Sequence, residues 1–221
     1  MISRWKRAAR GVAFVLSAVA LAAPATADEG SRGRELYGFC RQCHMDNGAG
    51  NPLYLAPNIA GLPEWYVARQ LDKFHSGIRG TNFDDVAGMR MRPVGIWLEK
   101  ESDRKAVAAY VASLPIVEPA PTLVGGDPER GKALYAPCSA CHGPDAKGME
   151  ALGAPALDHQ DDWYLLTQLE HFKSGIRGSK PQDVQGAQMR PMAMLLADEQ
   201  AMKDVIAYIM TLGGAPKTAK E

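Results

Sequence analysis

The chain is poor in several features that commonly announce a function. It has four cysteines and five histidines in 221 residues. Lysine plus arginine number 25, and so do aspartate plus glutamate, so neither sign of charge dominates. Sequence-independent nucleic-acid binding relies on a basic excess, and its absence disfavours that role. Beyond Ala23 no apolar run approaches the roughly 20 residues that a membrane-spanning helix requires. Between the helical patterns, the segments show no sustained two-residue alternation, which speaks against a half-buried sheet.

The N-terminus is patterned differently from the rest. Arg4, Lys6, Arg7 and Arg10 precede an apolar run from Gly11 to Ala23, and Pro24 leads into Ala25-Thr26-Ala27. A basic start, a short apolar centre and a small-x-small site together predict a secretory signal peptide over 1–27, cut after Ala27. The competing reading is a retained anchor, for which thirteen apolar residues are few. Removing 1–27 takes away four basic residues and leaves 21 against 25, a net charge of about −4 with histidines neutral. Export predicts a periplasmic protein, in a compartment where cysteines are expected to be oxidised or otherwise bonded.

What the chain does have, it has twice. From His44 to His142 is 98 positions, and at that shift the two halves align without a gap. Cys40, Cys43 and His44 meet Cys138, Cys141 and His142. Trp65-Tyr66 meets Trp163-Tyr164, "SGIRG" recurs at 76–80 and 174–178, and "MRP" recurs at 91–93 and 189–191. A period this long predicts duplicated domains rather than a solenoid. The domains are placed at 28–114 and 127–214. A semi-rigid Pro/Gly-rich linker spans 115–126, and a disordered tail spans 215–221. Each half shows three helical patterns, one of them carrying Val67, Leu71 and Phe74, or Leu165, Leu169 and Phe172, on a single face. The fold class is therefore all-α: two small helical units with long loops. Loops of that length in so small a domain need something large to pack against.

The chemistry centres on "FCRQCH" and "PCSACH". A structural zinc needs four ligands, which one such motif does not supply. A thioredoxin-like dithiol needs a βαβ setting that is missing, and a plain disulfide leaves the histidines without a purpose. Covalent haem uses every residue: two thiols join the porphyrin vinyl groups, and the next histidine lies under the iron. We therefore expect two haem c groups, held by Cys40, Cys43 and His44 and by Cys138, Cys141 and His142. No histidine recurs in both halves as a second axial ligand. Among the methionines only Met91 and Met189 share a column, on what reads as a loop before the last helix, with Met89 and Met192 as fallbacks. A His/Met pair fills both axial positions and favours reduced iron, which suits electron carriage.

Each half resembles a class I c-type cytochrome, and the whole resembles the dihaem cytochrome c4 family. The resemblance rests on the two haem motifs, on "LAPNIAG" at 55–61, on "WYVARQLDKFHSGIRG" at 65–80, and on "MRPV" or "MRPM" before the final helix. It implies two haem domains packed about a pseudo-twofold axis, passing electrons in the periplasm towards terminal oxidases. It implies redox partner proteins: a quinol-oxidising complex or dehydrogenase as donor, and an oxidase or reductase as acceptor. Carried over, His44 and Met91 ligate the first iron, and His142 and Met189 the second. Pro57 and Pro155 resemble the proline whose carbonyl accepts from the proximal imidazole. Gly33 and Gly131 resemble the small residue where the first helix crosses the last, beside Tyr110 and Tyr208. Arg79, Arg177, Arg92 and Arg190 are candidates to pair with haem propionates. In the second half "LGAPALDHQ" departs from the family's proline loop. The alternatives are a dihaem redox enzyme of the peroxidase or thiosulfate dehydrogenase type, and a cytochrome subunit of a larger complex.

Overall fold

The computed structural model describes residues 25–213. The signal segment up to residue 24 and the tail at 215–221 lie outside the described residues. Each half contributes four α-helices: α1 (Ala25–His44), α2 (Glu64–His75), α3 (Val86–Trp97) and α4 (Glu101–Ser113), then α5 (Pro128–His142), α6 (Asp162–Ser174), α7 (Val184–Met194) and α8 (Glu199–Leu212). A short 3-10 turn follows α1 and another follows α5, and among the described residues there is no strand, only two isolated bridges.

The sequence patterns predict three helices per half, and the structure has four. The unexpected pair, α3 and α7, carries Pro93 or Pro191 in its interior and has a glycine near its start. Both residue types argue against a helix. Packing and capping overrule them. Asp85 accepts from the Gly88 amide and Asp183 from the Gly186 amide, each closing a helix start. Gly95 brings α3 so near to α2 that a Cβ there would lie 2.8 Å from the Phe74 Cβ.

In each half the first helix crosses the last at a glycine. A Cβ on Gly33 would lie 2.2 Å from the Ala106 carbonyl oxygen, and one on Gly131 would lie 1.9 Å from that of Asp204. Tyr37 stacks on Tyr110 at 5.1 Å and Tyr135 on Tyr208 at 5.5 Å. The cores follow the same columns. Leu36, Tyr37, Val67, Leu98, Val107 and Val111 gather in the first half, and Tyr135, Leu165, Leu196, Val205, Ile206 and Ile209 in the second. Each such aliphatic side chain contributes about 1.5–3 kcal/mol on burial.

The linker is tied down rather than free. The Asp162 carboxylate accepts from the Thr122 and Leu123 amides, and Asn58 Nδ2 donates to the Val117 carbonyl. The halves meet through α2 and α6. Arg79 donates to Gln70 of its own half at 2.8 Å and to Gln168 of the other at 3.3 Å; Arg177 donates to Gln168 at 2.5 Å and to Gln70 at 3.5 Å. Each guanidinium lies over a phenyl ring, Arg79 on Phe74 and Arg177 on Phe172. Flanking this cross, Lys73 pairs with Asp183 at 2.5 Å, and His171 faces Asp85 at 3.8 Å. Lys73 and His171 are the same column of the repeat, as are Asp85 and Asp183.

Burial lowers the proton affinity of His171, and Arg177 and Arg79 act in the same direction against the pull of Asp85. The unfolded chain thus takes up a proton that the folded chain resists. Stability is full above the unfolded histidine value of about 6.5 and falls as pH drops through it. Denaturant melts from about pH 7 to about pH 5 are expected to show this fall, and His171→Gln is expected to flatten it. A profile indifferent to the substitution would show that His171 titrates alike in both states.

Candidate functional site

The last turns of α1 and α5 deliver the motif residues. Cys40 and Cys138 are half-buried against the cores, whereas Cys43 and Cys141 are exposed. Burial pushes the Cys40 thiol up to about 11, and it raises Cys138 as well. Such thiols are poor nucleophiles for disulfide exchange. Among the described residues no group of three or more His, Cys, Asp and Glu gathers as a metal site. The zinc alternative therefore lacks its ligand set among the described residues.

Both histidines are buried, and each has one nitrogen committed. His44 Nδ1 donates to the Pro57 carbonyl at 2.9 Å, and His142 Nδ1 to the Pro155 carbonyl at 2.8 Å. Burial lowers the proton affinity of both rings, so Nε2 keeps its lone pair for a metal. The chain is bent back to make this contact. Gly50 donates to the His44 carbonyl and Gly148 to that of His142. Both glycines have positive φ, 77° and 81°. A Cβ on Gly50 would lie 2.4 Å from the Pro57 carbonyl carbon, and one on Gly148 would lie 2.5 Å from that of Pro155. Only glycine combines that dihedral with that approach. The Tyr37 hydroxyl donates to the Met45 carbonyl and the Tyr135 hydroxyl to that of Gly143, holding the backbone just after each histidine.

The methionines are on helices, not on the expected loops. Met91 is part of α3 and packs against the first core, as Cys40 does. Met189 is part of α7 and lines a cavity together with Cys138, Cys141 and His142. Met192, one of the fallbacks, lines it too; Met89 is half-buried on α3.

That cavity, about 1360 Å³ with its mouth included, is walled by apolar side chains such as Leu157, Leu165, Phe172 and Ile206. Its rim is cationic and crosses between the halves: Arg177 comes from the second half, and Tyr66, Arg69, Gln70 and Lys73 come from the first. Five buried guanidinium nitrogens have no hydrogen-bond partner: Nε of Arg79, Arg92, Arg177 and Arg190, and Nη1 of Arg69. A buried unpaired cation is costly. A flat apolar macrocycle with carboxylate tails answers both features, filling the apolar cavity and offering acceptors to Arg69 and Arg177, the two of these arginines that line it. The residues present fit a haem.

Gly50, Gly148 and Arg69 are absent from the residues singled out in the sequence. The two glycines could have been found there, since they share a column of the repeat. Arg69 stands opposite Thr167 and offers no such signal.

Comparisons with known proteins agree with this geometry. The cytochrome c family matches twice, at residues 30–115 and 128–213. A thiosulfate dehydrogenase electron acceptor of Thiomonas intermedia is 33% identical over 171 residues, covering 73% of each chain. Cytochrome c4 from Pseudomonas stutzeri superposes with a TM-score of 0.62 at 25% identity, over 81% of this chain and 96% of that one. A thiosulfate dehydrogenase structure from Marichromatium purpuratum gives a TM-score of 0.66 at 28% identity; it covers 82% of this chain, which spans only 40% of that one. The chain belongs to the cytochrome c family. It is a dihaem class I c-type cytochrome similar to cytochrome c4, with two covalently bound haem c groups.

Gly148→Ala is expected to push Pro155 away from His142 and to destabilise the haem-loaded protein by about 1–3 kcal/mol. Denaturant unfolding followed at the haem absorbance measures this. Unchanged stability and an unchanged spectrum would show that the glycine is not what holds the proline carbonyl in place.

Proposed function

We propose that this dihaem cytochrome is a periplasmic one-electron carrier, in which His44 and Met91 ligate one iron and His142 and Met189 the other. The single observation that carries the proposal is the shared cavity of His142 and Met189, repeated by column in His44 and Met91. When bound, the haem iron supplies the chemistry, gaining and losing one electron between its ferric and ferrous states.

The chain's own residues provide the rest. Cys40 with Cys43, and Cys138 with Cys141, anchor the two groups through thioether bonds. The proline carbonyls fix each imidazole ring in one orientation. Met91 and Met189 would each offer the iron a thioether sulfur, a ligand that favours the reduced state. The apolar wall excludes water, and the arginine rim faces the carboxylates. A filled sixth position leaves no place for a small substrate, so the same features support a carrier over a catalyst.

An enzyme of the thiosulfate dehydrogenase or peroxidase type requires an unusual or open ligand. A cysteine ligand is not to hand, because the chain's four cysteines all belong to the two motifs. The readings of residues 1–27 as an export signal and of the domains as 28–114 and 127–214 belong to this proposal. No helix among the described residues is long and apolar enough to cross a membrane. A dehydrogenase as electron donor is supported by the name of the Thiomonas relative, an acceptor for thiosulfate dehydrogenase. A terminal oxidase or reductase is the acceptor of this scheme. A subunit of a larger complex would use the same two sites and differ only in remaining bound to its partner.

Methionine sulfur on ferric haem gives a weak near-infrared charge-transfer band. The purified oxidised protein is expected to show it at full intensity for two haems. Met189→Ala and Met91→Ala are each expected to remove about half and to leave one iron open to small ligands. Half intensity in the unsubstituted protein would favour the enzyme reading, and no band would overturn both methionine assignments.

A further inference from the structure

The lining of the C-terminal cavity departs from the repeat at a residue supplied by the other half. Arg69 lies on α2, in the N-terminal half, yet it lines the C-terminal cavity with Cys138, His142 and Met189. Its guanidinium rests over the Trp65 ring at 4.9 Å, and its Nη1 is buried without a partner. Gly153 makes room for it. That residue has φ +67°, and a Cβ there would lie 2.7 Å from Arg69 Nη1.

The repeat breaks at both of these positions together. Opposite Arg69 stands Thr167, whose hydroxyl donates to the Trp163 carbonyl within its own helix. Opposite Gly153 stands Leu55, which takes the same left-handed backbone at φ 56° despite its side chain. One half thus pairs an arginine with a glycine across the interface, and the other pairs a threonine with a leucine. Other charges differ as well: Gln188, which lines this cavity, stands opposite Arg90, and Lys73 stands opposite His171. Arg79 and Arg177 mirror each other, and Lys73 is neutralised by Asp183.

We infer that Arg69 is a positioning residue of the C-terminal haem, pairing with a carboxylate of that group across the interface and raising that haem's electron affinity. Reduction adds one negative charge to the site, and a fixed cation with little water around it favours the state with the added electron. The electron comes from the redox partner; Arg69 neither gains nor loses one. The inference rests on the haem seating proposed above and extends it to one haem: removing the Arg69 charge weakens the hold of the C-terminal site on an electron.

The test is a potentiometric titration of the intact dihaem protein, with each haem followed by its own hyperfine-shifted methyl resonances. Arg69→Gln is expected to lower the C-terminal midpoint alone, shifting the partition of one electron threefold to tenfold towards the N-terminal haem; tenfold corresponds to about 59 mV. Arg69→Lys, which keeps the charge, is expected to restore most of that shift. Moving the pair to the other half, with Leu55→Gly and Thr167→Arg, is expected to raise the N-terminal midpoint. Midpoints that ignore Arg69→Gln while both haems and the near-infrared band persist would overturn the inference. So would a transplant that leaves the N-terminal midpoint where it was. Failure of the methionine ligation is separately visible, as a missing band in the unsubstituted protein.

Discussion

Each buried imidazole gives its Nδ1 proton to a proline carbonyl at 2.8–2.9 Å, and much of each half is arranged around that bond. A histidine at the end of a helix has its side chain's direction set by the last turn. The partner carbonyl lies thirteen residues on, in a segment with no regular structure beyond one 3-10 turn and one bridge. The chain reaches it through a positive-φ glycine, a tyrosine hydroxyl that holds the preceding backbone, and a one-bridge loop. The crossing of first and last helices at Gly33 or Gly131 then sets where that helix end lies. The packing of the core and the chemistry of the metal ligand are in this way consequences of the same few contacts.

The interface between halves follows a different logic, that of charge. Burying several arginines in so small a protein is unfavourable unless each is met by an acceptor or an aromatic face. Gln70 and Gln168 meet two guanidiniums each, and Phe74 and Phe172 lie beneath them; of the arginines with an orphaned nitrogen, Arg69 and Arg177 line the C-terminal cavity. That cavity is walled by both halves, so a group filling it would touch both.

Much of this was legible in the sequence where periodicity or repetition spoke. The amphipathic faces of α2 and α6 and the motif residues lie in matched columns, while the crossings at Gly33 and Gly131 were expected only from the family resemblance. Helices α3 and α7 were not legible, because Pro93 and Pro191 weaken local helix preference and only capping and tertiary packing restore it. The Met91 and Met189 columns were visible while their helical setting was not. The crossed Arg–Gln contacts join residues about a hundred positions apart, and no local pattern reports such a meeting. Arg69 was missed for the opposite reason: a search by repetition passes over what one copy has and the other lacks.

Asp85 and Asp183 each have two partners. Each carboxylate closes the start of its own methionine-bearing helix and also faces a basic side chain of the opposite half, His171 or Lys73. The two copies have thus become mutually dependent since they were duplicated. A single half expressed by itself would carry a helix cap whose partner side chain across the interface is absent. The protein is written as a tandem, but it is no longer modular.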